Sequence, residues 1–479
     1  MARSAPLNQL IQLDKDAPEP LYQQVIRAVR EGIAQGTLRP GDKLPPTRDL
    51  AQQLGIARQG VVNAYAELLS EGVLIAYAGR GTFIAGEAMR GDPSALPSVA
   101  ANPAAASIKP EMIAFAGGSP AEEFLPVAAL RRSIEAVLAR DGAAAVAYEE
   151  TEGYPPLRAA VASYLDTLGI RAKPSQVLIT GGCQQALDLA IQALMSAGDT
   201  LLTTNPTYIG ILDICRIRRI NVIGVPCDAQ GMKTDLLESY IEQHRPKLIY
   251  SAPTHHNPTG TVMPTHRRRT LLRIAADARI PILEDGVYHE LNYSSDLPLP
   301  LKALDEYGVV IHANGFSKIV LPGTRIGYLI AEGEWWERAL RVKQAADICT
   351  PGLNQRAMHH FLVSGVLAGH LDRVRSACRI RRDVAVAAAK QHLPQGSNWN
   401  VPTGGVYLWV KLPQNGVTAA QLYAAALRRG VTFAMGAEFF TEATSESPYY
   451  MRLNFAAQPP ERIEEGMARL GAAYRQLIP

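Results

Sequence analysis

The sequence predicts a multidomain chain, a small α/β winged helix-turn-helix head joined to a larger α/β body. Three observations carry that prediction. Near the N-terminus two short helical segments flank one tight turn and precede a hairpin-like run. Further on, Val177-Leu178-Ile179-Thr180 runs through a glycine turn into an amphipathic helix, and Ile280-Pro281-Ile282-Leu283 reads as a buried parallel strand. Between the two parts, residues 87–110 are rich in Pro, Ala and Ser and poor in large apolar residues, the composition of a semi-flexible linker. The expected bounds are therefore a head over 1–86, a linker over 87–110 and a body over 111–479.

The head is legible element by element. The segment from Pro20 to Ile33 places apolar residues at helical spacing, and Leu38 to Pro46 is turn-rich. Thr47 is expected to cap a short helix, Arg48 to Leu54, which Gly55 stops. A second helix is expected from about Arg58 to Glu71. The run Val73 to Ile84 then reads as a β-hairpin with a Gly79-Arg80-Gly81 tip. This order, with its Leu44-Pro45-Pro46-Thr47-Arg48 and Gly79-Arg80-Gly81-Thr82-Phe83 runs, resembles the winged-helix domain of GntR-type regulators. The resemblance implies double-stranded operator DNA as partner. Acidic and basic residues nearly balance here, so the argument rests on placement rather than bulk charge. Arg48 stands at a helix start, Arg58 and Gln59 open the recognition helix, and Arg80 lies at the wing tip. An arginine there can read guanine in the major groove, and one at a wing tip suits a narrow minor groove. Ala57 and Gly60 occupy places where relatives usually carry phosphate-contacting hydroxyls, and Gly60 also weakens the helix by roughly 1 kcal/mol against alanine.

In the body, three segments follow one another: Ser251 to Gly260 with its Asn257-Pro258 step, Ile282 to Tyr288 around Asp285, and Asn314 to Arg325 around Ser317-Lys318. Taken singly, each residue has a plain structural reading: Asp285 as a turn former, Arg325 as a surface ion-pair partner, Asn257-Pro258 as an ordinary turn. Taken in order, they resemble the cofactor pocket of fold-type I aminotransferases. That resemblance implies a mostly parallel sheet with a smaller C-terminal α+β lobe, and pyridoxal 5'-phosphate as cofactor. It assigns Lys318 to a Schiff base with the cofactor aldehyde and Asp285 to the pyridine nitrogen. Asn257 and Tyr288 fall to the ring's phenolic oxygen, and Ser317 and Arg325 to the phosphate. The turn Gly181-Gly182-Cys183 opens a helix after a strand, where backbone amides and the helix dipole meet an anion. Relatives usually carry hydroxyl residues at Gly181 and Cys183, so phosphate binding falls more heavily on amides, Ser317 and Arg325. Tyr208 matches the ring-stacking residue. Tyr148 matches a tyrosine that reaches the phosphate held by the partner subunit, which implies a homodimer. Arg452 matches the residue that grips a ligand carboxylate, a task suited to a planar guanidinium.

A GntR-like head, a linker and an aminotransferase-like body together resemble the MocR subfamily of bacterial regulators. The chain's 479 residues, 47% of them hydrophobic, suffice for such an architecture. Its five cysteines show no paired spacing, which suggests reduced thiols in a cytoplasmic protein, and no long apolar run indicates a membrane span. Histidine pairs lack metal-site spacing, so no metal is expected. Basic clusters at Arg216, Arg218 and Arg219, at Arg267 to Arg269, and from Arg373 to Arg382 read mainly as solvated helix faces, with an extended DNA footprint as the lesser reading. The expected function is a regulator sensing an amine, an amino acid or the cofactor itself. The alternative is a working aminotransferase of the 2-aminoadipate or kynurenine kind with an appended head.

Overall fold

The computed structural model describes residues 11, 13–14, 17, 19–34, 37–39, 42–70, 73–77, 81–84, 111–118 and 121–478. The chain divides into two compact units, the first ending at residue 102. The linker expected over 87–110, and Arg80 with it, lies outside the described residues.

In the first unit, helices span Leu21–Ala34, Thr47–Leu54 and Arg58–Ser70, followed by a hairpin. The strands β1 (Lys43–Leu44), β2 (Leu74–Tyr77) and β3 (Gly81–Ile84) form one sheet in the order β1-β3-β2. The recognition helix buries Val61, Ala64, Tyr65 and Leu68 against Val25, Val29 and Leu50, which leaves its opposite side outward. Thr47 is not the cap expected of it. The helix already begins there, with Pro46 at the capping position and no side-chain capping bond. Gly55, at φ 62° and ψ 38°, closes that helix in the left-handed conformation, as a tight turn requires.

The body is built on an eight-stranded sheet. In sequence order after β4 (Ile113–Ala114), its strands are β5 (Val177–Thr180), β6 (Thr200–Asn205), β7 (Asn221–Asp228), β8 (Gly231–Met232), β9 (Leu248–Ser251), β10 (Ile282–Asp285), β11 (Val310–Gly315) and β12 (Gly327–Ile330). Their spatial order is β5-β12-β11-β10-β9-β6-β7-β8. The pairs β11–β10, β10–β9, β9–β6 and β6–β7 are parallel, whereas β12 runs against both of its neighbours. Strands β5, β9, β10, β11 and β12 are buried along their whole length, as expected of a sheet covered on both faces.

A smaller lobe follows, with β13 (Asn398–Trp399), β14 (Tyr407–Lys411), β15 (Val431–Thr432), β16 (Ala434–Met435) and β17 (Tyr450–Asn454). Four of these form an antiparallel sheet in the order β13-β14-β17-β16, while β15 pairs in parallel with β4. Among the described residues no helix is long and apolar enough to cross a membrane.

The basic clusters resolve into different environments. Arg216 pairs with Asp213 at 2.8 Å, Arg218 with Asp188 at 3.0 Å and Arg267 with Asp228 at 2.7 Å. Arg268 and Arg381 are buried, so they are not part of a solvated face. Arg268 donates to the carbonyls of Met263, Pro253 and Leu299, and Arg381 donates to that of Ala456.

Candidate cofactor pocket and nucleic-acid interface

The carboxyl ends of β10 and β11 supply the centre of the pocket, where ligands of open α/β sheets collect. Asp285 is the last residue of β10 and is 6% exposed. Tyr250, in the adjoining strand β9, donates to its Oδ2 at 2.9 Å, and the Val287 amide donates to Oδ1 at 3.2 Å. The Cys183 thiol donates to Oδ1 at 3.5 Å. Burial pushes the Asp285 carboxyl above its ordinary range, and these three donors pull it back. A buried carboxylate with this exposure to desolvation gains from a cationic partner, which a protonated ring nitrogen would provide.

Lys318 lies in the loop between β11 and β12. Its Nζ donates to the Gly118 carbonyl at 2.8 Å. A Cβ on Gly118 would sit 2.8 Å from Tyr407 Oη and 3.1 Å from Lys318 Nζ, so only glycine lets the backbone come this close. The anion end of the pocket is set by the same logic. Gly182 has φ 103°, and a Cβ there would fall 2.5 Å from Arg325 Nη2. The helix Cys183–Leu194 starts with Gly182 at its cap and no side-chain capping bond, which leaves first-turn amides for an anion. Arg325 Nη1 donates to Ser317 Oγ at 3.2 Å, so guanidinium, hydroxyl and helix N-terminus meet at one place. The Gly181 amide is already taken, donating to Gln185 Oε1 at 2.5 Å.

Across the pocket, Arg452 projects from β17 and is 7% exposed. Its Nη1 donates to Asn257 Oδ1 at 2.8 Å, its Nη2 donates to the Ala116 carbonyl at 2.8 Å, and its Nε is buried without a partner. The guanidinium lies over the Tyr407 ring at 4.1 Å and the Phe439 ring at 4.8 Å. Tyr288 and Tyr407 share a hydrogen bond, Oη to Oη, of 2.8 Å. Tyr208, just before the helix Ile209–Arg218, donates to Gln184 Oε1 at 2.9 Å, and its ring lies against Gly210, where a Cβ would meet it at 2.4 Å.

Contacts thus link Asp285 to Cys183, Asn257 to Arg452, Tyr208 to Gln184, and both Tyr288 and Arg452 to Tyr407. Lys318 lies beside the same Gly118 as Tyr407, while Gly182, Ser317 and Arg325 meet at the anion end. Tyr148 stands apart from these residues, 85% exposed. Sequence reading passed over Tyr250, Tyr407 and the Gly118 carbonyl. Nothing in a phenol within an apolar strand distinguishes it from a core aromatic. A lysine amine beside a carbonyl, a buried carboxylate, a guanidinium at a glycine-capped helix start and an orphaned arginine Nε together fit pyridoxal phosphate.

On the head, Arg48, Arg58 and Gln59 are exposed, and Gln59 Nε2 donates along its own helix to Asn63 Oδ1 at 2.9 Å. Arg58 is the first residue of the recognition helix, so its guanidinium reaches outward from the end that enters a groove in this motif.

Comparison with known proteins agrees with both halves. A family model for class I and II aminotransferases matches residues 111–470, and one for the gntR family of bacterial regulatory proteins matches residues 21–84. The HTH-type transcriptional regulator TauR of Rhodobacter capsulatus is 32% identical over 480 residues, covering 95% of this chain and 96% of its own. The probable rhizopine catabolism regulatory protein MocR of Rhizobium meliloti is 28% identical over 487 residues, covering 98% of this chain and 96% of its own. Among solved structures, the α-aminoadipate aminotransferase LysN from Thermus thermophilus superposes with a TM-score of 0.73 at 33% identity, over 78% of this chain and 94% of LysN. That structure contains N-(5'-phosphopyridoxyl)-L-leucine. This chain therefore belongs to the class I and II aminotransferase family through its pyridoxal-phosphate body and, with its gntR-family head, to the MocR-type transcription regulators.

Proposed function

We propose that the chain acts in the cytoplasm as a homodimer, reading double-stranded operator DNA with its heads (1–86) and sensing a small amine or amino acid in its bodies (111–479). The observation that supports this most is a pocket that pairs a part-buried lysine with a buried carboxylate and a buried guanidinium, on the same chain as a helix-turn-helix with exposed arginines. Pyridoxal phosphate, when bound, supplies an aldehyde open to amines and a ring that withdraws electrons. Lys318 offers the amine that holds it, and its loop keeps that amine beside the Gly118 carbonyl. Asp285 holds a proton on the ring nitrogen. Asn257 and Tyr288 would donate to the ring oxygen, and Tyr208 would pack against the ring. Arg325, Ser317 and the amides of Gly182 and Cys183 bind the phosphate, with Gly181 held by Gln185 until a ligand competes. Tyr148, exposed on one subunit, reaches the phosphate of the other. Arg452 keeps its Nε for a ligand carboxylate.

A ligand shifts the regulator only by binding two of its states unequally. The test is to follow the absorbance of the loaded protein while candidate amino acids are added, and to measure operator binding in the same samples. An effector should change both.

A second reading, a working aminotransferase, draws on the completeness of the pocket and on the 34% identity of the 2-aminoadipate transaminase of Thermus thermophilus over 77% of this chain. Sustained keto-acid release at ordinary enzymatic turnover, with operator affinity unmoved, would favour it.

A further inference from the structure

We propose that Tyr407 is a positioning residue of this pocket, one that aims the Tyr288 hydroxyl at the cofactor's ring oxygen and so helps set the pH at which the bound cofactor changes absorbance. The inference rests on the assignment of Lys318 and Tyr288 to the cofactor.

Tyr407 opens β14 and is 3% exposed, but its phenol is more than core filling. The 2.8 Å bond between its Oη and Tyr288 Oη needs one donor, and the other hydroxyl keeps its hydrogen for a further acceptor. The hydroxyl that serves the ring oxygen accepts from the other, and the surrounding charges favour Tyr407 as that other. From β17, Arg452 lies 4.1 Å over the Tyr407 ring. From the loop after β11, Lys318 Nζ approaches the same small volume beside Gly118 that Tyr407 Oη occupies. Asp285, at the end of β10, opposes these cations, and Tyr208 and Tyr288 are the other titratable groups that face the phenol. Burial alone would raise Tyr407, but the cations of Arg452 and Lys318 oppose it and the phenol is lowered, which makes it a good donor. Burial, joined by Tyr407, drives Tyr288 well above the ordinary phenol range. Tyr288 has one hydrogen, so when that hydrogen goes to the ring oxygen the bond between the two hydroxyls is donated by Tyr407.

Tyr288 is then free to donate into the pocket. Asn257 is oriented to the same end, because Arg452 occupies its Oδ1 and leaves its Nδ2 as a donor. Two donors thus face the ring oxygen, one of them strengthened by the phenol behind it. Chains of hydrogen bonds reinforce each member by about 10–30%. Without the Tyr407 hydroxyl, the Tyr288 donation weakens and the ring oxygen holds its proton more tightly.

The experiment is a spectrophotometric pH titration of the cofactor-loaded protein, for wild type, Tyr407→Phe, Tyr288→Phe and the double variant. Each sample is also reduced with borohydride and mapped by mass spectrometry. Tyr407→Phe should keep the adduct on Lys318 and raise the absorbance midpoint by about half a pH unit, roughly threefold in the proton equilibrium. Tyr288→Phe should raise it further, and adding Tyr407→Phe to Tyr288→Phe should change nothing more, because the first acts through the second. An adduct on Lys318 with an unmoved midpoint overturns the role of Tyr407 alone, as does full additivity in the double variant. A wild-type adduct on another lysine overturns the pocket assignment, and this proposal with it.

Discussion

The cofactor pocket and the DNA-reading surface are made in opposite ways. The pocket draws Ala116, Cys183, Asn257, Asp285, Lys318 and Arg452 from across more than three hundred residues, and each of them already hydrogen-bonds another group there. The reading surface comes from two consecutive helices, and its Arg48, Arg58 and Gln59 face outward. Side chains in the pocket are held in place before a ligand arrives, whereas those proposed to read DNA on the head would gain most of their partners from the duplex. One consequence is that a single change in the pocket should disturb its neighbours, while a single change on the head should act alone.

The largest expected effect is in the pocket. Lys318→Ala should abolish borohydride-stable attachment of the cofactor completely, while non-covalent binding through Arg325 and Asp285 persists in part. A reduced adduct found by mass spectrometry on any other lysine of the wild type would break the assignment. On the head, Arg58→Ala should cost about 1–3 kcal/mol of discrimination between operator and random duplex. Competition binding at fixed salt checks this, and the absorbance of the bound cofactor should stay as it is. A loss equal for both duplexes would mean that Arg58 contacts phosphate only.

Acid should separate the two regions as well. Burial holds His255 down to about 3, and His256 and His289 down to about 4. In the unfolded chain each returns to about 6.5. Between roughly pH 6.5 and 4 the unfolded chain therefore binds more protons, so stability is full above that window and is lost as pH falls through it. Asp285 and Glu290, raised by burial, work in the opposite sense at the acid end. All ten histidines lie from His244 onward, so the head has no share in this term. Urea unfolding at pH 7 and pH 5 should show the body transition moving to lower urea and the head transition moving much less.

The smallest effect concerns Gly60, inside the recognition helix. Its added Cβ would meet only Ile56 Cδ1, at 3.9 Å, so Gly60→Ala should stabilise the head by up to about 1 kcal/mol. Thermal unfolding of the head transition measures it, and a destabilised head would show that this glycine serves the backbone in some other way.

What the sequence disclosed divides along the same line. The head's elements were legible because each is local: apolar spacing in Leu21–Ala34 and Arg58–Ser70, and a glycine stop at Gly55. Among the described residues of the head, the start of the helix Thr47–Leu54 differs from expectation: Thr47 is its first helical residue, with Pro46 at the cap. In the body, Lys318, Asp285 and Arg325 stood out by their order and type. Their supporting groups did not, because Tyr250 and Tyr407 occupy apolar strands and acquire their roles from partners 35 and 119 residues away. Runs of arginine misled for a related reason. In Arg267-Arg268-Arg269 the helix turns one side chain inward, and that one, Arg268, bonds backbone carbonyls instead of facing solvent.

A regulator of this build requires coupling between pocket and head, and reciprocal titration measures that coupling. Candidate amino acids are titrated into the loaded protein with and without operator duplex, following the absorbance of the cofactor, and operator is titrated with and without the amino acid. If the chain is a regulator, operator changes the effector's affinity, and the effector changes operator affinity by the same factor. An amino acid that binds equally well in both cases, while keto acid accumulates at ordinary enzymatic turnover, would contradict a regulatory role and leave an aminotransferase with a DNA-binding head.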